Sequence, residues 1–258
     1  MRTLKSAAII ILGLVWLVGM DCGARPQDLN LRYIPKDMGG SIDLMWDGAE
    51  GANYFLLYRN DTLIDTLPPD SIHYVFDSTM VGKTFRVVAE GARLEGTLDL
   101  TPYVDSFTLY ERDYSDTTCS GVAFDANGHY TLYNIRYDTS SSWAYVQIVL
   151  ADTFVDSVDF SSMRLASPIL FGRSFASAFA VNTQDYAPTP DKDDSLFSYA
   201  YYAFITAPEY AAWLGAWNYE WNEDDAFVRL TIINADPSGW ITFRYAYQTA
   251  PGLRWFPY

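Results

Sequence analysis

Cysteine and histidine are scarce in this chain, with two of each in 258 residues. With only His73 and His129, one in each half, a multi-histidine metal site or a Ser-His-Asp arrangement has little to be built from. Cys22 falls in the amino-terminal leader, which leaves Cys119 without an intrachain partner, so the core has to supply stability with no disulfide. No Gly-rich phosphate loop occurs. Positive charge is also short: 17 Lys and Arg stand against 32 Asp and Glu, a net charge of −15. That field repels nucleic acid and anionic lipid surfaces and permits divalent cations. Beyond the leader, no apolar run approaches the roughly 20 residues a membrane helix requires.

The leader itself is informative. Arg2 and Lys5 precede an apolar run from Ala7 to Val18, and small residues follow, which is the layout of a secretory signal. Residues 1–24 are expected to be removed, with Cys22 and Ala24 as the small residues of the cleavage site. Cleavage before Cys22, with acylation of its thiol, is the open alternative, although Asp21 departs from the small residue usual at that point. Either way the chain is expected to be exported to the cell envelope or medium, touching a membrane only through a lipid on Cys22.

Aromatic residues are abundant, with 20 Tyr, 15 Phe and 8 Trp, and this enrichment favours strands. From Ser41, Ile42, Leu44 and Trp46 alternate with Ser41, Asp43 and Met45, which places one set inward and the other outward. Runs at Tyr54–Arg59, Thr62–Leu67, Tyr74–Phe76, Phe85–Ala89 and Thr97–Leu100 follow, separated by Asn60-Asp61, Pro68-Pro69-Asp70 and other turn residues. Short strands at this spacing predict a sandwich.

Pro26, Leu29, the Ile42-x-Leu44-x-Trp46 strand, Tyr54-Phe55-Leu56-Leu57-Tyr58-Arg59 and Phe85-Arg86-Val87-Val88-Ala89 together resemble a fibronectin type III domain over residues 25–103. The resemblance implies an immunoglobulin-like sandwich with Trp46 filling the space between its sheets, used as a spacer or protein-contact module. The sequence departs from the family at Val81-Gly82-Lys83-Thr84-Phe85, where a corner tyrosine is usual.

Residues 104–258 resemble no family. Gly121–Phe124 and His129–Tyr137 flank an Asn127-Gly128 hairpin turn. Runs at Trp143–Leu150, Phe154–Phe160, Ile169–Val181, Phe197–Thr206, Phe227–Asn234 and Trp240–Gln248 continue the series. One short helix is expected after Thr206, where Thr206 and Glu209 have capping-box spacing, Pro208 sits in the first turn, and Tyr210, Trp213, Leu214 and Trp217 would share a face. The expected fold class is therefore all-β: a fibronectin-type-III-like sandwich, then a second antiparallel sandwich or jelly-roll with one helix.

Two constellations bear on chemistry. Trp213, Trp217, Tyr219 and Trp221 lie close together with Asn218, Glu220 and Asn222 between and after them, a mixture suited to stacking on sugar rings and bonding their hydroxyls; filling the core is the alternative use of the same rings. Asp191, Asp193 and Asp194, or Glu223, Asp224 and Asp225, offer carboxylates to Ca²⁺ without the spacing of a twelve-residue calcium loop, and solvated acidic loops have the same look. No cofactor is expected. The functional expectation is a non-catalytic surface or secreted protein acting in adhesion, assembly or scaffolding. Its partners would be other proteins or surface polysaccharide and not nucleic acid; carbohydrate binding by the second domain stands as the alternative, with a glycoside hydrolase behind it.

Overall fold

The computed structural model describes residues 27–136, 141–151, 163–182, 184–185, 187, 201–216, 220–236 and 238–257. The described chain is all-β, with short 3-10 turns as its only helical elements. The first unit contains β1 (Gln27–Asp28), β2 (Arg32–Lys36), β3 (Ser41–Met45), β4 (Tyr54–Arg59), β5 (Thr62–Leu67), β6 (His73–Phe76), β7 (Thr84–Glu90) and β8 (Leu94–Asp99). They form a three-stranded sheet in the order β2-β3-β6 and a second in the order β1-β8-β7-β4-β5. Alternation determines which side chains meet between them: Ile42 and Leu44 from β3, Phe55 and Leu57 from β4, Phe76 from β6, and Phe85, Val87 and Ala89 from β7 enter one core with Trp46. Each large side chain buried there contributes about 1.5–3 kcal/mol.

Polar turn residues set the register of this unit. Asn60 and Asp61 both have positive φ, 48° and 62°, the left-handed pair that joins two twisted strands by a two-residue hairpin. Asn60 does a second job, because its side-chain oxygen accepts the backbone N–H groups of Lys83 (2.7 Å) and Thr84 (3.2 Å). It thereby ties the corner before β7, where no tyrosine is available.

The second unit comprises β9 (Tyr103–Tyr110), β10 (Gly121–Phe124), β11 (Tyr130–Tyr133), β12 (Ile148–Ala151), β13 (Arg164–Ala166), β14 (Ser177–Val181), β15 (Tyr202–Phe204), β16 (Glu209–Leu214), β17 (Ala226–Asp236) and β18 (Trp240–Tyr247). Two five-stranded sheets, ordered β11-β10-β12-β13-β15 and β14-β16-β17-β18-β9, are antiparallel throughout. They enclose a core that includes Phe107, Phe124, Leu150, Leu165, Phe179, Tyr210, Leu230, Phe243 and Tyr245. The hairpin at Asn127-Gly128 forms as expected, with Asp125 Oδ1 accepting the N–H groups of Asn127 and His129. The Phe154–Phe160 run lies outside the described residues, as do positions 197–200 of the expected Phe197–Thr206 strand.

The helix expected after Thr206 is instead strand β16. Tyr210, Ala212 and Leu214 enter the inter-sheet core, while Ala211 and Trp213 enter a separate cluster on the outer face with Ala178, Phe227 and Phe256. A strand buried on both faces loses the alternation that marks a half-buried one. Ladder partners on both sides, β14 and β17, satisfy its backbone and override local helix preference. The supposed cap is replaced by the Tyr210 hydroxyl, which accepts the N–H groups of Thr206 and Ala207 at 2.7 Å each.

The two units share their last segment. After β18 the chain turns back, and Ala250, Leu253 and Trp255 join the core of the first sandwich, while Phe256 packs on the outer face of the second. Arg254, buried between them, donates from Nε to the Met38 carbonyl (2.7 Å), from Nη1 to that of Ala187 (2.6 Å) and from Nη2 to that of Asp37 (3.4 Å). Asp37, Met38 and Gly39 all have positive φ, a costly conformation for the two non-glycine residues. Gly39 has no alternative, since a Cβ there would collide with the Gly252 carbonyl.

Candidate functional site

The tryptophan-rich stretch is divided by the fold. Trp213 is fully buried, with its ring stacked on Phe227 at 15° and 6.3 Å. It presents no face to a sugar. Trp221 is half-buried, and its indole N–H donates to the Gly252 carbonyl at 3.3 Å, so it holds the returning segment. Trp217 and Tyr219 lie outside the described residues, as do Asp191, Asp193, Asp194 and Cys22. In the second acidic run, Glu223 and Asp224 are exposed, whereas Asp225 is buried and accepts from the Asn222 N–H (2.9 Å) and Nδ2 (2.8 Å). Burial pushes the Asp225 carboxyl above its ordinary value, against hydrogen bonds from Asn222 and the Trp213 side chain. Among the described residues no group of three or more His, Cys, Asp or Glu is placed to hold a metal ion, and no helix is long and apolar enough to cross a membrane.

The histidines are surface groups. His129 Nδ1 lies 3.3 Å from Asp125 Oδ2 with its ring edge-on to Tyr103, and His73 Nδ1 lies 3.0 Å from Asp43 Oδ1 on the outer face of β3 and β6. Cys119 is half-buried, and burial raises its thiol, which opposes thiolate chemistry.

A different set of residues converges on the outer face of the β11-β10-β12-β13-β15 sheet. Two 3-10 turns, Ser141–Ala144 and Pro168–Phe171, cover that face. Their rings Trp143 and Phe171 lie 5.3 Å apart over Ile135, Val146, Val149, Ala151 and Ala166. The second turn starts with Pro168 and ends on left-handed Gly172 (φ 71°), whose N–H returns to Ile169 and Pro168 carbonyls. Between the turns opens a cleft of about 360 Å³ lined by Ser141, Trp143, Ala144, Gly172, Arg173 and Ser174.

Two guanidinium groups flank the indole of this cleft. Arg173 Cζ lies 4.8 Å from the Trp143 ring centre, and Arg112 Cζ lies 5.6 Å from it and 5.3 Å from that of Phe171. Such cation–π contacts are worth about 0.5–2 kcal/mol each and orient the guanidinium plane. Arg112 is further fixed by donating to the carbonyls of Ile135 (3.4 Å) and Arg136 (3.2 Å). Beside the cleft, Tyr145 follows Ala144 and is 65% exposed, with its ring within 18° of parallel to that of Tyr133 at 6.1 Å. Sequence reasoning placed Trp143 at the start of a strand and passed over both arginines. The signal within reach was Pro168 and Gly172 at turn-bounding positions; the meeting of Arg112 and Arg173 is a product of the fold alone.

Among known proteins, no family model matches the chain and no curated protein does. A crystal structure of a DUF4466 family protein from Parabacteroides merdae is similar at 12% identity, covering 88% of this chain and 95% of that one with a TM-score of 0.33.

Proposed function

We propose that the chain is an exported, non-catalytic protein of the cell surface or medium that acts in adhesion, assembly or scaffolding, with a fibronectin-type-III-like module rigidly attached to an aromatic-rich β-sandwich. The observation that carries this reading is the shared C-terminal segment: Trp255 and Leu253 in the first core, Phe256 on the second unit, and Arg254 bonded between them. A scaffold has to hold two surfaces at a fixed distance, and a buried covalent strap does so where a flexible linker cannot. The resemblance to fibronectin type III is supported by the three strands β2-β3-β6 and the antiparallel strands β8-β7-β4-β5, to whose edge the two-residue β1 adds in parallel, with Trp46 buried in the core they share. The test is removal of the chain from a producing bacterium, with fractionation of the parent strain. The reading expects the protein in envelope or medium and a loss of surface attachment or envelope assembly on deletion; recovery from the cytosol, or unchanged attachment and assembly, removes it.

A second reading, carbohydrate binding by the second sandwich, is favoured by one observation. The exposed Tyr145 ring lies beside the cleft whose wall includes the hydroxyl side chains of Ser141 and Ser174, an aromatic face next to polar groups that the buried Trp213 does not offer.

A further inference from the structure

We propose that the open end of the outer face of the β14-β16-β17-β18-β9 sheet binds a neutral glucan chain, with sugar rings against Tyr110, Tyr114 and Trp240 and their hydroxyls bonded by the side chains that follow along β17 and β18. This inference rests on the carbohydrate-binding reading of the second sandwich and assigns it a ligand class and a face apart from the Trp143 cleft.

Strand alternation sorts the residues. Ile241, Phe243 and Tyr245 of β18, with Phe107 and Leu109 of β9, enter the inter-sheet core, so Trp240, Thr242 and Arg244 face outward opposite Tyr110, Thr108 and Ser106. Further along this face Ala246 is covered by the cluster that holds Phe256. The Trp240 end is left to solvent, with Ser106, Asn234 and Arg244 exposed. Cross-strand pairs two residues apart make rows about 7 Å from one another. The first row is aromatic, Trp240 with Tyr110; the second is Thr242 with Thr108, whose hydroxyl oxygens lie 2.8 Å apart; the third sets the Arg244 guanidinium beside the Ser106 hydroxyl.

A β-bulge completes the second row. The β17–β18 register shifts between Ile232 and Asn234, so that Asn234 lies opposite Thr242. In an unbroken ladder Ile233 would take that place and Asn234 would turn to the other face. The bulge thus delivers an exposed amide, able both to donate and to accept, beside two hydroxyls that do the same.

The rings are held by the turn after β9. The Glu111 N–H donates to the Gly239 carbonyl (2.6 Å) and the Tyr114 N–H to that of Glu111 (3.0 Å). Tyr114 lies over Gly239, where a Cβ would come within 2.9 Å of its ring. It is 43% exposed, and its ring centre is 5.1 Å from that of Tyr110 with the planes at 46°. Rings so inclined share no plane to offer a crystalline surface; they suit a single chain whose successive sugar faces turn. A glucose ring brings a C–H face to stack on an aromatic ring and equatorial hydroxyls to meet polar groups around it. The three rows hold no Leu, Ile, Val or Met, the side chains a protein partner would need for an apolar interface core. A net charge of −15, with Asp236 opposite Trp240, repels an acidic polysaccharide.

Calorimetric titration of the full chain with cellohexaose, laminarihexaose and hexagalacturonide tests the proposal. The expected result is binding of at least one of the two glucans, with binding of the acid about tenfold or more weaker. Tyr114→Ala and Asn234→Ala, both at exposed positions, should each lower glucan affinity about tenfold, and Tyr145→Ala should leave it unchanged. Binding of the acid as tight as that of the glucan overturns the neutral ligand. Glucan binding unchanged in both Tyr114→Ala and Asn234→Ala overturns this face while leaving carbohydrate binding in place, and its loss in Tyr145→Ala would put the sugar at the cleft instead. No binding of any of the three overturns both the inference and the reading beneath it.

Discussion

The indole N–H of Trp255 donates to the carbonyl of Gly40 at 3.0 Å, joining positions 215 residues apart in the chain. The same ring lies 6.2 Å from Phe85 in the first core. Gly40 follows the left-handed stretch of Asp37, Met38 and Gly39, and Arg254 holds the carbonyls of Asp37 and Met38 immediately before it. One returning segment therefore completes a hydrophobic core and satisfies the acceptors of a strained turn. Packing and hydrogen bonding that a self-contained sandwich would supply from its own strands come here from beyond its partner domain.

Truncating Trp255 to Ala should cost about 3–5 kcal/mol, the range for deleting a large buried aromatic. Because the segment belongs to both units, calorimetry should show a single unfolding transition in the parent protein. In Trp255→Ala the transition should separate into two, the first unit melting earlier. Two transitions in the parent would mean that the segment does not couple the sandwiches.

Two tryptophans in the same core differ in one bond. Trp255 has Gly40 as acceptor, whereas among the described residues the buried Nε1 of Trp46 finds none. Replacement by Phe removes similar volume from each, but at Trp46 it also removes a buried donor that is left unmade. Trp255→Phe should thus cost about 1–2 kcal/mol more than Trp46→Phe. Equilibrium urea denaturation of the pair measures the difference, and equal losses would contradict it.

The corner before β7 offers a third test. Asn60→Ala removes the acceptor for Lys83 and Thr84 N–H groups and strains a residue at φ 48°. A loss of about 1–3 kcal/mol is expected. Asn60→Gly relieves the φ strain without restoring the acceptor, so it should recover only part of the loss; full recovery would show that the side chain does not tie the corner.

Legibility followed the number of buried faces. β7 is legible because Phe85, Val87 and Ala89 alternate in the core against half-buried Arg86 and Val88, and β4 and β5 run Tyr54–Arg59 and Thr62–Leu67, the bounds the Asn60-Asp61 turn predicts. β16 was misread for the opposite reason: Ala211 and Trp213 are as buried as Tyr210 and Ala212, so no period of two survives. β9 alternates at Val104, Ser106 and Thr108 against Asp105, Phe107 and Leu109 only over its second half, where Phe107 and Leu109 are buried. The site was less legible still. Arg112, Trp143 and Arg173 are separate in sequence and have no shared motif, and nothing about Trp255 in the chain assigns it to a core built from residues 29–100. Such contacts are tertiary, and local pattern carries no record of them.

Asp225 gives a pH dependence with a definite sign. Its carboxyl is held above the ordinary 3.8 chiefly by burial, so between 3.8 and its folded value the native chain binds more proton than the unfolded one. Its contribution to stability is therefore full below 3.8 and is lost as pH rises through the folded value. Asp77 and Asp236, exposed and held low mainly by hydrogen bonds from Thr79 and Ser238, act in the opposite sense: their contribution is present above 3.8 and is lost as pH falls through their folded values. Comparison with Asp225→Asn isolates the buried group, since residue 225 of the variant does not titrate. As pH rises from below 3.8, the unfolding free energy of the parent should fall relative to that of the variant, and the gap should become constant once Asp225 is fully ionised. A gap that stays constant over the whole range would mean that burial does not raise the Asp225 carboxyl, and one that moves the other way would mean that the hydrogen bonds from Asn222 and Trp213 outweigh burial.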